Sequence, residues 1–474
     1  MEAVLAVIGI TQVKTRTQHN KIKIHQASVK QTDLCSNTHL LVCNPNHPSM
    51  NAPLPITQAA CGDDHDPSAL TALAAKERIF AAITPLATDA VETLPLLEVL
   101  DRVLAADLLA GMDVPPHPNS AMDGYALNGR DLPVDGIAEL QVAGQSFAGH
   151  PFAGDCKSGE CVRIMTGAVV PVGLDTVIPQ EHVEPLAADK IRIDARTHAG
   201  DNVRARGEDI YQGQVVLRVG RRITAADLGL IASLGISRVT VMRRLRVAFF
   251  STGDELRGVG EALQPGQIYD SNRYTLYAML THLQCQITDL GVVRDDPQAL
   301  REVLQAATTE HDVIVSSGGV SVGEADHVRQ VLSELGEINF WKVAMKPGRP
   351  LTFGFLGPTV FFGLPGNPVA LMVTFSQFVQ PALQRLAGQT PQSPLNVWAQ
   401  TTTALKKRAG RTDFQRGILS QSTEGVLQVT KTGDQGSGIL LSMSLANCFI
   451  ILPTEATQVE AGAQVLVQPF AGFF

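Results

Sequence analysis

At 474 residues the chain has length for several domains with large cores, and 45% hydrophobic and 18% charged residues are the proportions of a globular protein. A net charge of −8 argues against nucleic acid as the partner, and no run of eighteen apolar residues is present to span a bilayer. Seven cysteines scattered without a CxxC pair exclude a zinc knuckle or disulfide framework and point to a reducing, cytoplasmic setting.

Residues 1–49 carry five Lys/Arg against two Asp/Glu, four of the twelve histidines and little periodicity. The opening MEAVLAVIGI is short and acidic where a signal peptide is basic. Residues 1–66 therefore read as a disordered extension, with Met50 as the expected translation start. Order is expected from Asp66-Pro67-Ser68, with Asp or Ser capping a helix that runs to about Ile83. A second amphipathic segment covers 96–110, and PPHPNS at 115–120 breaks the pattern. Short strands with turns follow to about 205 (AELQVAG, ECVRIMTG, DTVIP, KIRID), then a strand–helix stretch over 211–240.

From 245 to 388 strands and helices alternate: LRVAFFS, SNRYTLYAMLTHLQ, ITDLGVV, DPQALREVLQAATTE, DVIVSS and DHVRQVLSELG. The apolar runs LTFGF and TVFFGL precede a last helix, PVALMVTFSQFVQPALQRLAG. The pattern predicts a parallel sheet covered by helices on both faces, with ligands at the C-terminal strand ends. The tail, 396–474, alternates as a small β-domain. The division expected is thus an elongated N-terminal region over 67–243, β-rich at about 118–205, an α/β domain over 244–392, and the β-tail.

At one strand end, Ser316-Ser317-Gly318-Gly319-Val320-Ser321-Val322-Gly323 leads through Glu324 and Asp326 into a helix. Glycines let backbone N–H groups turn towards an anion, and a helix N-terminus adds partial positive charge. A tight structural turn has the same composition. Asp254 and Glu255 end another strand, and three acids with Asp326 at one end of a sheet suit Mg²⁺, which takes hard oxygen ligands. Asp270 and Asp296 open helices as N-caps. Lys342, Lys346 and Arg349 beside Pro347-Gly348 suit either a polyanion or a solvated cluster. Leu364-Pro365-Gly366-Asn367-Pro368 suits packing or anion binding equally. Asp123, before Gly124, is of turn-forming type, and Arg204–Asp209 reads as a salt-bridged loop. No Ser/His/Asp triad, HExxH or GKS/T loop stands out, and the histidines read as structural or solvated.

Together NSAMDGYA (119–126), RIMTGA (163–168), RGEDI (206–210), STGDEL (251–256), IYDSNR (268–273), RDDP (294–297), SSGGVSVGEAD (316–326), KVAMKPGRP (342–350), GLPGNP (363–368) and DFQRG (413–417) closely resemble one family. It is that of the MoeA-type molybdopterin molybdenumtransferases, related to the C-terminal domain of gephyrin, and the match covers about 68–474.

The resemblance implies a doubly wound α/β molybdopterin-binding domain, an elongated mixed α/β N-terminal half and a small C-terminal β-barrel-like domain. It implies a cytoplasmic homodimer whose cleft lies between subunits, with a molybdopterin adenylyltransferase upstream. The reaction implied is Mg²⁺-dependent insertion of molybdenum from molybdate into adenylylated molybdopterin, with release of AMP. By motif position the catalytic set is Asp123, Thr166, Asp209, Glu255, Asp295, Asp326, Lys342 and Lys346. Substrate binding falls to Ser317, Gly318, Gly319, Ser321, Gly323, Pro347, Gly348, Arg349, Arg416 and Ser437, and Mg²⁺ to Asp254, Glu255 and Asp326.

Arg349 replaces the lysine of the usual KPGKP form, and Pro118 stands where an acid often precedes NSAMDGYA. A molybdopterin adenylyltransferase would share the α/β unit but lack the 90–240 region and the β-tail. A non-catalytic scaffold of the same fold would not need Asp326, Lys342 and Lys346.

Overall fold

The computed structural model describes residues 66, 68–294, 296–318 and 326–470, without the side chains of Asp326 and His327. The reading of 1–66 as a disordered extension, with translation starting at Met50, lies outside these residues except at Asp66, which is placed and ion-paired; Asp295, Gly319, Ser321 and Gly323 also lie outside them.

Helix α1 (Ala72–Ala82) begins three residues later than the cap at Ser68 predicts, because Thr71 accepts from the Ala74 N–H and is the real N-cap. Asp66 is drawn into ion pairs instead. Strand β1 (Val91–Pro95) follows, and the amphipathic segment 96–110 then resolves into a 3₁₀ turn, Leu96–Glu98, and a two-residue strand, Leu108–Leu109. Its apolar residues Val99, Leu104, Leu108 and Ala110 are buried from this irregular backbone around a helix further on, so helical spacing there did not mean a helix.

Strands β2 (Gly124–Leu127), β3 (Ile137–Ser146), β4 (Glu160–Ile164), β5 (Thr176–Pro179), β6 (Glu184–Ala187) and β7 (Lys190–Asp194) form a six-stranded sheet in the order β5-β2-β4-β3-β7-β6. Helix α2 (Ala225–Ser233) is closed by a full capping box between Thr224 and Asp227. Strand β8 (Arg238–Met242) returns antiparallel to β1.

The central sheet begins with β9 (Arg246–Thr252), α3 (Ser271–His282), β10 (Gln286–Val293), α4 (Pro297–Glu310), β11 (Val313–Ser317) and α5 (Asp326–Leu335). Strands β12 (Glu337–Lys342), β13 (Met345–Lys346), β14 (Pro350–Leu356) and β15 (Thr359–Leu364) follow. The sheet order is β10-β9-β11-β15-β14-β12, with the first four strands parallel and β14 antiparallel to both neighbours. The wholly parallel sheet expected is thus mixed. The turn Gly357-Pro358 joins LTFGF to TVFFGL as a hairpin, which leaves no length for the crossover a parallel pair needs.

Side chains alternate across this sheet. Val247, Phe249, Val313, Val315 and Phe362 face a core shared with α1 and α3, while Ala248, Phe250, Ile314 and Phe361 face α4 and α5. The last helical stretch runs as α6 (Pro368–Thr374), a π-helical turn at Phe375–Val379, and α7 (Gln380–Leu386).

In the tail, β16 (Val397–Thr401), β17 (Thr412–Gln421), β18 (Leu427–Lys431), the short helix α8 (Leu440–Ser444), β19 (Cys448–Leu452) and β20 (Gln464–Pro469) follow. Strands β17-β18-β16-β20-β19 close on themselves through β19–β17 pairing, which makes a five-stranded barrel. Its core holds Ala399, Leu405, Val429, Ile450 and Val467. Among the described residues no helix is long and apolar enough to cross a membrane.

Candidate active site

At the C-terminal ends of β9, β11 and β15 the chain opens into a cleft of about 1250 Å³, closed on its far side by the barrel. Three strand-end loops meet there. Gly318, with φ +89°, donates its N–H to the Leu364 carbonyl at 3.0 Å, and a Cβ on it would stand 2.6 Å from the Thr252 carbonyl oxygen. Only glycine lets these loops approach so closely. Asn272, 8% exposed in the first turn of α3, donates from Nδ2 to Ser317 Oγ at 2.8 Å and to the Gly366 carbonyl at 2.7 Å. One amide thus joins the starts of three loops.

The cleft carries both signs of charge. Lys346, Arg349 and Arg411 line it with Glu255 and Asp270. Lys346 lies 3.9 Å from Asp413, a carboxylate only 3% exposed, and keeps its own side chain half open. Asp270 caps α3 as its position predicts, accepting from the Arg273 N–H at 3.1 Å through Oδ1. Its second oxygen is buried and has no hydrogen-bond partner among the described residues. Asp296 likewise caps α4, accepting from the Ala299 N–H at 2.8 Å.

Of the residues expected at a site, Glu255, Ser317, Gly318, Lys346, Pro347, Gly348, Arg349 and Ser437 line this cleft. Lys342 does not; its ammonium lies 3.2 Å from Asp66. Asp254 is exposed outside the cleft, where its carbonyl accepts from Arg257. Asp326 opens α5, and its side chain lies outside the described residues.

Arg416 is fully buried behind the cleft rather than in it. Its Nε donates to Ser442 Oγ at 3.0 Å and its Nη2 to the Gly436 carbonyl at 3.0 Å, while its N–H donates to Gln435 Oε1 at 2.7 Å. Burial pushes its guanidinium down to about 10. It therefore shapes the 434–442 loop, whose Ser437 carbonyl accepts from the Val369 N–H at the start of α6.

Asp123 and Thr166 meet elsewhere, and Asp209 follows in the loop after the strand paired with Asn119–Ser120. The short strand Asn119–Ser120 pairs with Val203–Arg204, and Ser120 exchanges backbone hydrogen bonds with Gly167 and Ala168. This draws NSAMDGYA, RIMTGA and RARGED together. Asp123 Oδ1 accepts from the Thr166 N–H at 2.8 Å and Oγ1 at 2.7 Å. The Thr166 amide, its hydroxyl and the charge of Arg163 hold the Asp123 carboxyl below its ordinary value. Asp209 is exposed. None of the three lines the central cleft. The loop is not internally salt-bridged as expected. Arg206 reaches out to Asp113 at 2.6 Å, and Glu208 accepts from the Ala205 N–H at 2.8 Å instead.

Sequence reasoning passed over Asn272, Gln435 and Arg411. Asn272 stands two residues after a capping Asp, and the capping reading rested on that Asp alone. Gln435 stands in Gly433-Asp434-Gln435-Gly436-Ser437-Gly438, whose glycine density is the signal that could have marked a loop built for close approach.

A divalent cation can be tested against these atoms. Mg²⁺ takes one or two carboxylates and completes its shell with water and phosphate oxygens. The buried, unpartnered Oδ2 of Asp270 and the carboxylate of Glu255 belong to residues lining the same cleft and are ligands of that kind. They fit such an ion, although no group of three His, Cys, Asp or Glu gathers among the described residues.

Three family models match successive parts of the chain: the MoeA N-terminal region (domain I and II) over 70–235, a probable molybdopterin binding domain over 248–385, and the MoeA C-terminal region (domain IV) over 399–470. Fold and cleft thus define the class, a MoeA-type protein built round a molybdopterin-binding domain. A molybdopterin molybdenumtransferase of Haemophilus influenzae is 45% identical over 380 residues, which are 80% of this chain and 94% of that one. The Nostoc enzyme of the same name is 36% identical, over 77% of this chain and 86% of its own. The crystal structure of the molybdopterin biosynthesis MoeA protein of Pyrococcus horikoshii OT3 matches with a TM-score of 0.73 at 27% identity, covering 85% of this chain and 100% of that one. The chain belongs to the molybdopterin molybdenumtransferase family.

Proposed function

We propose that the central cleft is where this transferase inserts molybdenum from molybdate into adenylylated molybdopterin, with release of AMP. The observation that carries the reading is the meeting, in one cleft, of the Gly318 strand end, the Lys346–Arg349 turn and the Ser437 loop of the barrel. Lys346 and Arg349 bind phosphate oxygens by charge, and Arg349 adds a planar fork of donors. Gly318 and Gly348 line the cleft without a side chain in the way of a bound group. Asn272 keeps the loops in register. Glu255 and Asp270 would hold Mg²⁺, which when bound screens the pyrophosphate charge and stabilises the leaving phosphate. Molybdate and molybdopterin are substrates.

The Asp123–Thr166 cluster, with Asp209 on the neighbouring loop, completes the site from a second copy of the chain. Two observations support a homodimer: the cluster is built of motif residues, and it stands away from its own chain's cleft. An upstream molybdopterin adenylyltransferase would deliver the substrate.

The deciding experiment mixes the purified protein with adenylylated molybdopterin, molybdate and Mg²⁺. AMP release, with transfer of the product to an apo-molybdoenzyme, is expected, and chelation by EDTA should suppress both. Adenylylation of metal-free molybdopterin from ATP, without molybdenum insertion, would overturn the reading.

A further inference from the structure

We propose that Asp66 is a positioning residue for the cationic corner of the cleft, holding Arg349 and Lys342 with a single carboxylate oxygen so that the corner is set before an oxyanion arrives. Asp66 Oδ2 lies 3.0 Å from Arg349 Nη2 and 3.2 Å from Lys342 Nζ. The acid is 10% exposed and the two cations 20% and 25%, so the triad is largely withdrawn from solvent.

The placement is built by backbone. Leu70 donates its N–H to the Lys342 carbonyl at 2.9 Å and accepts from the Ala344 N–H at 2.7 Å, which lays the lead into α1 alongside 342–344. The Ser68 N–H and Oγ donate to Asp66 Oδ1 at 3.0 and 2.6 Å, and the Ala69 N–H donates to the Asp66 carbonyl at 3.0 Å. Thr71 caps α1, which leaves Asp66 free of the capping task its sequence position suggests. The Ser68 hydroxyl first, then the Ser68 amide and Lys342, hold the Asp66 carboxyl far below the usual carboxylate range against the opposing effect of burial.

Arg349 lines the cleft, whereas Lys342 and Asp66 do not. Asp66 therefore acts through Arg349. Fixing one Nη of a planar guanidinium fixes the direction of its remaining donors, and a side chain already ordered loses less entropy on binding. This chain has arginine at 349, whose fork must be aimed, where a lysine's point charge need not be.

The inference deepens the proposed reaction and rests on it, so the test has two arms. In the first, AMP release is followed against adenylylated molybdopterin for the full chain and for Asp66→Asn and Asp66→Glu. Asp66→Asn should raise KM about tenfold with kcat changed less than about threefold, and Asp66→Glu, which keeps the charge, should recover most of the loss. An unchanged or lowered KM in Asp66→Asn would overturn the inference, as would a KM rise that Asp66→Glu shares in full. Thermal unfolding of each variant separates the roles: a large drop in Tm with unaltered KM means Asp66 is only structural. In the second arm, calorimetric binding of inorganic pyrophosphate reads the corner without any reaction. Weaker binding to Asp66→Asn is expected there too, and equal or tighter binding defeats the idea. Absence of AMP release by the wild-type chain, with pyrophosphate binding still weakened by Asp66→Asn, would fault the reaction and not the strut.

Discussion

The Asn272 amide satisfies both its N–H groups inside the protein, one on Ser317 Oγ and one on the Gly366 carbonyl, and neither partner is near it in sequence. Removing it strands the buried Ser317 hydroxyl and takes away the partner of the Gly366 carbonyl at the cleft wall. Each such bond is worth on the order of 1 kcal/mol, so Asn272→Ala should cost roughly 2 kcal/mol of stability in denaturant unfolding. It should also lower kcat/KM for AMP release more than tenfold, because the Gly318 strand end loses its tie to the Gly366 turn. A variant with wild-type kcat/KM would show that the loops hold register without it. At this scale the sequence was legible where chemistry is local. Asp270 and Asp296 cap the helices they precede. It was not legible where a side chain reaches across the fold, as Asn272, Asp66 and Arg416 do. Arg416 stands in a recognisable motif, but no spacing rule reveals that its guanidinium is spent on the Gly436 carbonyl and Ser442.

Elements were legible in proportion to their regularity. The unbroken apolar runs of β9, β11 and β15 announce strands buried on both faces, and α4 and α5 carry clear helical patterns. Residues 96–110 failed because apolar spacing at helical intervals also serves a chain that folds back over α2. The antiparallel β14 was missed because alternation of strand and helix carries no sign for strand direction once a hairpin intervenes. One ion pair joins elements that the pattern treats as separate. Arg243, just after β8, donates to both oxygens of Asp312 at 2.7 and 2.8 Å, and the Arg246 N–H of β9 donates to the same carboxylate at 2.8 Å. Burial raises the Asp312 carboxyl, but the Arg243 guanidinium and the Arg246 amide outweigh it and leave the group below its ordinary value. A carboxyl lowered by folding stabilises above the unfolded value near 4 and loses that contribution as pH falls through the folded one. Asp312→Asn should therefore destabilise at pH 7 by roughly 2–3 kcal/mol, with the gap to wild type closing below about pH 4. Tm measured from pH 3 to pH 7 for both proteins checks it; a gap independent of pH would remove the carboxylate from the account.

On the scale of the whole molecule, one chain presents two groups of motif residues, and only one of them lines the cleft. If the Asp123 cluster serves a second copy, subunits carrying Asp123→Ala and subunits carrying Lys346→Ala should complement each other. Refolded together in equal amounts, half the dimers are mixed and each mixed dimer keeps one intact site of two, so roughly a quarter of wild-type activity should return. No recovery, with mixed dimers confirmed by mass, would place each site within a single subunit. The turn between β13 and β14 bears on the same question of what moves with what. Strand β13 pairs in parallel with the barrel, Met345 with Thr412 and Lys346 with Asp413, while β14, starting at Pro350, belongs to the central sheet. Lys346 is therefore paired to the barrel, whereas Arg349 directly precedes a strand of the central sheet that also carries the Gly318 strand end. The two cations of the cleft are anchored to different sheets within five residues of one turn, so a shift of the barrel against the central sheet would change the distance between them.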